Sequence, residues 1–328
     1  MSSTTSPSSG VRRNPWLKLV RIPAVFTVIA QVAAAFLLMS GTVEPVARLV
    51  TILFSAVALY WGGMILNDVF DVEEDRRERP TRPLPAGEIS VRSASLAGWS
   101  LLAVGVALAA AAGFVNGNGV ASTSCPAIVG LATAACIWLY NGPLKTTLIA
   151  PLAMGLCRAF CFLLGASPLV NIDGAAMFDV VNWFPGHVIA AAVGMGIYVM
   201  GITTISRSET LGGHAAEMIS GVVTIVLGAV CVALSPRFAP AETEWLVSPG
   251  NQFPILVGLV VCSVVFRGVR VILRPEPAAI QNLIRVGLMT LIPLAAAVAM
   301  LSAGPRVGLA IFALVIPAIA AAARFRVT

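Results

Sequence analysis

Acidic side chains are scarce in this chain, with 15 Asp and Glu in 328 residues, and charged residues of both signs make up only 11%. A soluble globular domain carries about 25% charged residues, so a water-exposed globule is excluded. Histidine occurs twice, at His187 and His214, far apart and without ligand-like neighbours. That argues against a zinc or haem centre. The six cysteines (Cys125, Cys136, Cys157, Cys161, Cys231 and Cys262) show no CxxC spacing and lie in apolar runs. They read as small core residues, not as a disulfide framework. The net charge of +6 does not imply a nucleic-acid partner, because in so apolar a chain excess Lys and Arg record membrane topology.

What the chain has in abundance is apolar sequence, 58% of all residues, with a mean hydropathy of +0.91. A membrane-crossing helix needs about 20 mostly apolar residues. Such stretches fall at about Leu17–Met39, Val46–Asn67, Ser93–Val115, Ala127–Tyr140, Ala150–Leu169, Phe184–Ile205, Ala215–Leu234, Phe253–Leu273, Leu283–Leu301 and Val307–Ala323. The fourth is short and could begin nearer Ser122, and Gly304-Pro305 is the turn signal between the last two. The chain is therefore expected to be all-α, a polytopic membrane helical bundle of about nine to ten transmembrane helices. It forms a single domain over residues 15–328, after a Ser/Thr-rich disordered tail over residues 1–14. The apolar stretch after Pro23 reads as the first of many spans, not as a cleaved signal.

An N-terminus in the cytoplasm puts Arg12, Arg13, Lys18, Arg21, Arg76, Arg77, Arg79, Arg82, Arg92, Lys145, Arg207, Arg270, Arg274, Arg324 and Arg326 on the cytoplasmic side. The other side keeps Arg48, Arg237 and Arg306. This asymmetry follows the positive-inside rule, and an even number of spans places the basic C-terminus inside as well. The expected location is the cell (inner) membrane, multi-pass, with the bilayer as partner and the N-terminus and active-site loops cytoplasmic.

On that side the rare carboxylates are concentrated. Six of the 15 lie between Asp68 and Glu78. On a helix at about 100° per residue, Asn67, Asp68, Asp71 and Asp75 share a sector of roughly 100°, so their side chains are expected to converge. Hard oxygen ligands next to arginines are what Mg²⁺ and a diphosphate require. A solvated charge run is the plain alternative. However, this run begins at a membrane boundary, where polar groups are costly and tend to be functional.

The stiff loop Arg79-Pro80-Thr81-Arg82-Pro83-Leu84-Pro85-Ala86-Gly87 follows directly. Arg82 is placed to hold phosphate oxygens through its guanidinium fork, whereas Arg76, Arg77 and Arg92 read as topogenic charge. Arg158 lies inside the fifth span, where an arginine faces a cavity or a partner, or snorkels toward the interface.

With Asn67-Asp68-x-x-Asp71-x-x-x-Asp75, the Arg-Pro-rich loop, Tyr140-Asn141-Gly142-Pro143-Leu144-Lys145 and the N-terminal Arg21-Ile22-Pro23, the chain resembles the UbiA superfamily of intramembrane prenyltransferases over about residues 17 to 210. The Arg-Pro-x-Arg-Pro stretch is similar to the EboC-like branch in particular. The resemblance implies a helical bundle around a central cavity that opens to lipid, and a magnesium prenyl diphosphate held by two aspartate-rich motifs. Asn67, Asp68, Asp71 and Asp75 would be the first motif and the metal ligands. Arg21 and Lys145 would contact the diphosphate, with Asn141 beside them, and Tyr140 would line the pocket near the allylic carbon.

The second motif is where the chain departs from the family. Thr204 and Ser208 stand where its paired aspartates would be, with Glu209 as the nearby carboxylate and Arg207 adding positive charge. The expected activity is Mg²⁺-dependent transfer of an isoprenoid group from a prenyl diphosphate to an unidentified small acceptor. The alternatives are phosphoribosyl transfer to a polyprenyl phosphate, which some relatives perform, and a multi-span transporter, for which the acidic residues lie at one face instead of the midplane.

Overall fold

The computed structural model describes residues 14–115, 117, 119–172, 183–210 and 215–324, with the backbone alone for 208–210. The tail expected over residues 1–14 lies outside this range except for Asn14. That side chain accepts a hydrogen bond from the Trp16 amide and caps a short helix, α1 (Pro15–Leu19).

The long helices follow the apolar runs: α2 (Ile22–Ser40), α3 (Val46–Phe70), α5 (Val91–Phe114), α6 (Cys125–Asn141), α7 (Ala150–Ala166), α8 (Gly186–Thr210), α9 (Ala215–Leu234) and α10 (Gln252–Leu273). The short α4 (Val72–Glu78) continues α3, and α11 (Pro277–Met289), α12 (Leu291–Phe312) and α13 (Val315–Arg324) complete the chain. Among the described residues, eight segments are long and apolar enough to cross a membrane, the last being Pro277–Arg324.

That last segment is not one rod. Gly304 has φ 84°, a left-handed conformation that breaks the helix as the Gly-Pro pair foretold. The chain then folds back, bringing Gly308 against Met300 and Ala296. Counting both arms of this hairpin and the 17-residue α6 brings the candidate crossings among the described residues to ten, within the nine to ten expected. Several boundaries move: α2 begins at Ile22, after the break at Arg21, α6 begins at Cys125 with Pro126 in its first turn, α8 continues past Ile205 to Thr210, and α11 begins at Pro277 instead of Leu283.

Each helix from α5 to α12 packs on its successor, α12 returns to α2, and α2 and α3 close the circuit. Small residues permit the closest approaches. A Cβ at Gly62 would stand 2.9 Å from the Gly98 carbonyl between α3 and α5, and one at Gly155 would stand 2.8 Å from the Gly196 carbonyl between α7 and α8. In a bilayer such contacts carry the association, because lipid is as apolar as the side chains themselves.

Arg48 stands at the start of α3, the end of that helix opposite the Asp-rich motif, and it is 1% exposed. It donates to the carbonyls of Val115 (3.2 Å), Val120 (3.0 Å) and Pro168 (2.6 Å). These carbonyls follow helix ends and have no intrahelical partner, so a guanidinium with five N–H donors ties three connections together.

Candidate active site

The site begins where α3 ends. Asp71 lies between α3 and α4 with φ −85° and ψ −1°, close enough to helical that the ladder continues through it. The amides of Asp71, Asp75 and Arg79 bond to the carbonyls of Asn67, Asp71 and Asp75 at 3.0, 2.8 and 2.8 Å. The helical phase therefore survives the joint, and Asn67, Asp68, Asp71 and Asp75 remain on one side.

Their carboxylates do not meet at a single point, and among the described residues no three Asp, Glu, His or Cys groups do. Like charges repel, and each carboxylate instead takes a base. Asp68 accepts from Arg21 Nη2 at 3.1 Å. Asp75, 3% exposed, accepts from Arg82 Nη1 at 2.7 Å, and the same guanidinium stands 3.8 Å from Asp68. Lys145 Nζ bridges both carboxylate oxygens of Asp71 and donates to Asn67 Oδ1 at 2.9 Å. The Asn67 amide donates in turn to Asp71 Oδ2 at 3.1 Å. Convergence is thus corrected to a row of carboxylates interleaved with three cations from three different elements.

Two of those cations are positioned with some precision. Arg21 stands between α1 and α2 with φ 45°, the left-handed region that a non-glycine side chain rarely adopts. Its carbonyl accepts a bond from the Tyr60 hydroxyl at 3.4 Å. Lys145 is carried by the connection between α6 and α7. One end of that connection is fixed by Asn141, whose buried amide donates to the Gly63 carbonyl of α3 at 3.1 Å. The other end is held from across the bundle, where Arg207 Nη1 of α8 donates to the Thr147 carbonyl.

Beneath the charged row lies a cavity of about 90 Å³ between α2, α3, α6 and α7. Tyr60, Met64, Ile137, Tyr140, Met154 and Arg158 are among its lining. Tyr140 and Asn141 line it at the end of α6, just before the connection that carries Lys145, and so join the cavity to its charged mouth.

The chain matches the UbiA prenyltransferase family over residues 27–282. It belongs to this family. The matched region runs well past the resemblance visible in the motifs. A digeranylgeranylglyceryl phosphate synthase from Metallosphaera sedula is 36% identical over 104 residues, 31% of this chain and 36% of that protein. The enzyme of the same name from Methanoculleus marisnigri is 39% identical over 74 residues, 23% of this chain and 26% of its own length. These alignments span only about a third of the relatives. Likeness in fold extends much further. A solved structure concerned with digeranylgeranylglyceryl phosphate synthase superposes with a TM-score of 0.61 at 17% identity, covering 88% of this chain and 98% of that one. A UbiA homolog from Archaeoglobus fulgidus bound to GPP and Mg²⁺ superposes with a TM-score of 0.53 at 17% identity, covering 85% and 99%.

In this UbiA protein most of the residues singled out in the sequence stand together. Arg21, Asn67, Asp68, Asp71, Asp75, Arg82 and Lys145 form one bonded network. Tyr140, Asn141 and Arg158 line the cavity, and Arg207 braces the Lys145 connection from the far side. Thr204, at one of the second-motif positions, turns its hydroxyl back onto the Met200 carbonyl of its own helix. The side chains of Ser208 and Glu209 lie outside the described residues.

Sequence reasoning missed Tyr60, Thr27 and Gln31. A signal for Tyr60 was present, since it precedes Asn67 by seven residues, about two helical turns, on the same face. Thr27 and Gln31 are four apart within an apolar run, one turn of α2.

Proposed function

We propose that this protein is a Mg²⁺-dependent intramembrane prenyltransferase that moves an isoprenoid group from a prenyl diphosphate to a small acceptor, with its site at the cytoplasmic end of the bundle. The observation that carries the reading is the row of Asp68, Asp71 and Asp75 interleaved with Arg21, Arg82 and Lys145 at the mouth of an apolar cavity. Its donor chemistry fits the metal: all candidate ligands are hard oxygens, three of them carboxylates and one an amide, and Mg²⁺ uses one or two carboxylates together with waters and phosphate oxygens. Bound there, Mg²⁺ would neutralise charge on the departing diphosphate.

The side chains define the rest. Arg21, Arg82 and Lys145 exchange their carboxylate partners for diphosphate oxygens, which suits a guanidinium fork and an ammonium equally. As the allylic C–O bond breaks, both of its electrons leave on the diphosphate, and these cations stabilise that charge in a partly dry site. The apolar walls hold the isoprenoid tail and keep water from the allylic cation. The acceptor then supplies the electron pair of the new bond and gives up its proton. Arg207 supplies positive charge in the region where the second aspartate motif is lacking. The asymmetry of Lys and Arg supports the cytoplasmic orientation. The relatives' name, digeranylgeranylglyceryl phosphate synthase, supports a prenyl donor and a glycerol phosphate lipid as one acceptor to test.

Membranes containing the protein should consume labelled prenyl diphosphate in preference to labelled phosphoribosyl diphosphate. Asp71→Asn and Asp75→Asn should each lose Mg²⁺-dependent turnover by about 10²-fold or more while unfolding as a folded protein does. Full activity in either variant would sink the assignment.

A further inference from the structure

Arg267 and Arg285 lie inside apolar helices, yet they belong neither to the charged mouth nor to the cavity beneath it. Arg267 stands six residues before the end of α10, about 9 Å along the axis, and Arg285 eight residues after the start of α11, about 12 Å. The two are level with each other. A Cβ at Gly287, two residues beyond Arg285, would touch Val264, three residues before Arg267, at 3.9 Å.

Arg270 and Arg274 extend the set toward the Asp-rich end of the bundle. At i, i+3 and i+7, Arg267, Arg270 and Arg274 fall within a sector of roughly 60°. On α11 the buried residues are Ile280, Leu283 and Gly287, while Gln281, Asn282 and Arg285 are exposed on the opposite face. Between residues 267 and 285 the only carboxylate is Glu276. Among the described residues none of the four arginines takes part in an ion pair. The Nε of Arg267 is, in addition, buried without a hydrogen-bond partner. Marking topology accounts for a basic residue in a connection, such as Arg274. It does not account for a guanidinium inside the helix with a sealed donor, which is costly.

Beside the cluster runs an apolar groove of about 750 Å³ between α9 and α10, lined among others by Val226, Ala229, Ala233, Val257, Val261 and Val265. Along α10 it extends from Pro254 to Val269, about 22 Å. One leaflet of the hydrocarbon core is shorter, about 15 Å. Gly258 lines the groove, and a Cβ there would meet nothing within 4 Å. At the other end Val269 adjoins Arg270, which is exposed and flanked along the helix by the exposed Phe266 and Leu273.

We propose that Arg267, Arg270, Arg274 and Arg285 bind the phosphate headgroup of an anionic phospholipid, one of whose acyl chains lies in the groove between α9 and α10. Basic clusters at the membrane boundary attract such headgroups, and guanidinium forks suit phosphate oxygens. A free phosphate would use the arginines alone. The groove that ends beside Arg270 selects a ligand with a hydrocarbon chain attached to its anion. The site is separate from prenyl transfer, since none of the four arginines belongs to the row at the mouth.

The test titrates the full chain in neutral detergent with phosphatidylglycerol and phosphatidylcholine of identical acyl chains, and native mass spectrometry counts the bound lipid. Wild-type protein should bind phosphatidylglycerol roughly tenfold more tightly than phosphatidylcholine. Arg270→Gln/Arg274→Gln/Arg285→Gln should remove that preference. The control Arg76→Gln/Arg77→Gln/Arg92→Gln removes as many charges from the same end and should stay within about threefold of wild type. Gly258→Phe places a ring in the groove and should weaken phosphatidylglycerol binding by about threefold to tenfold; it carries the test alone if the arginine variant does not fold. A wild-type chain without a headgroup preference overturns the proposal. Equal losses in the two arginine variants do so as well, because they would show a diffuse field instead of a site. Displacement of the lipid by inorganic phosphate would make this a free-anion site, and unchanged lipid affinity in Gly258→Phe would empty the groove of its chain. A lipid-free dimer that Gly258→Phe dissociates would give the groove to a second copy of the protein.

Discussion

Lys145→Met should change metal binding and turnover in opposite directions. Lys145 Nζ sits on both oxygens of Asp71 and on Asn67 Oδ1, with the two ionic side chains 27% and 15% exposed. A divalent ion bound to the same carboxylate would lie roughly 4–5 Å from the ammonium, a repulsion of about 7 kcal/mol at an effective dielectric of about 20. Lysine can swing away and water screens part of the charge, which leaves about 1–3 kcal/mol. Removing the ammonium should therefore tighten divalent-ion binding in the absence of substrate by about tenfold to a hundredfold. Turnover should nevertheless fall by about 10²–10³-fold, because one of three cations facing the leaving diphosphate is gone. Methionine is unbranched and only one atom shorter than lysine, so the cavity mouth stays largely filled. Calorimetric titration with Mg²⁺ or paramagnetic detection of Mn²⁺ reads the first quantity, and single-turnover release of labelled diphosphate reads the second. Unchanged ion affinity with lowered turnover would show that Asp71 is not a metal ligand. Tighter ion binding with normal turnover would show that Lys145 does not serve the leaving group.

Arg48→Met should lower unfolding stability by about 3 kcal/mol, since three carbonyls lose a charged donor, without altering prenyl diphosphate affinity; thermal unfolding in detergent and donor titration check the two halves. Gly155→Val should force α7 from α8, because a Cβ there would lie 2.8 Å from the Gly196 carbonyl. The cost is about 1–3 kcal/mol, visible as a lower unfolding midpoint, with Gly155→Ala milder than Gly155→Val. Tyr60→Phe removes the hydroxyl that holds the left-handed Arg21, so donor KM should rise by about threefold to tenfold, equivalent to a bond of about 0.5–1.5 kcal/mol, with little change in stability. An unchanged KM would mean that Arg21 keeps its conformation unaided.

The helices and the row of aspartates were legible for a shared reason: both depend on short-range regularity. Hydrocarbon thickness sets the length of an apolar run, and 3.6 residues per turn sets which side chains share a face. The backbone at Asp71 preserved that phase, so Asn67, Asp68, Asp71 and Asp75 stayed aligned. The hairpin at Gly304 was readable on the same terms, because glycine followed by proline is a local backbone instruction. The partners of Arg48 were not legible because its three acceptors lie 67, 72 and 120 positions away. A charge near a helix end looks the same in sequence whether it faces water or ties three carbonyls together.

By itself, then, the sequence determined a multi-pass helical membrane protein with oxygen ligands and arginines gathered at one end of the bundle. Only the tertiary structure decided how those charges are shared. Arg21 goes to Asp68, Arg82 spans Asp68 and Asp75, and Lys145 crosses 74 positions to reach Asp71. It also decided that Arg158 meets Thr27 and Gln31 across 131 and 127 positions. Spacing fixes direction along one helix, but a charge finds its partner only when separate helices pack. In a low-dielectric interior that pairing governs whether a cation is spent on the protein or kept for a ligand.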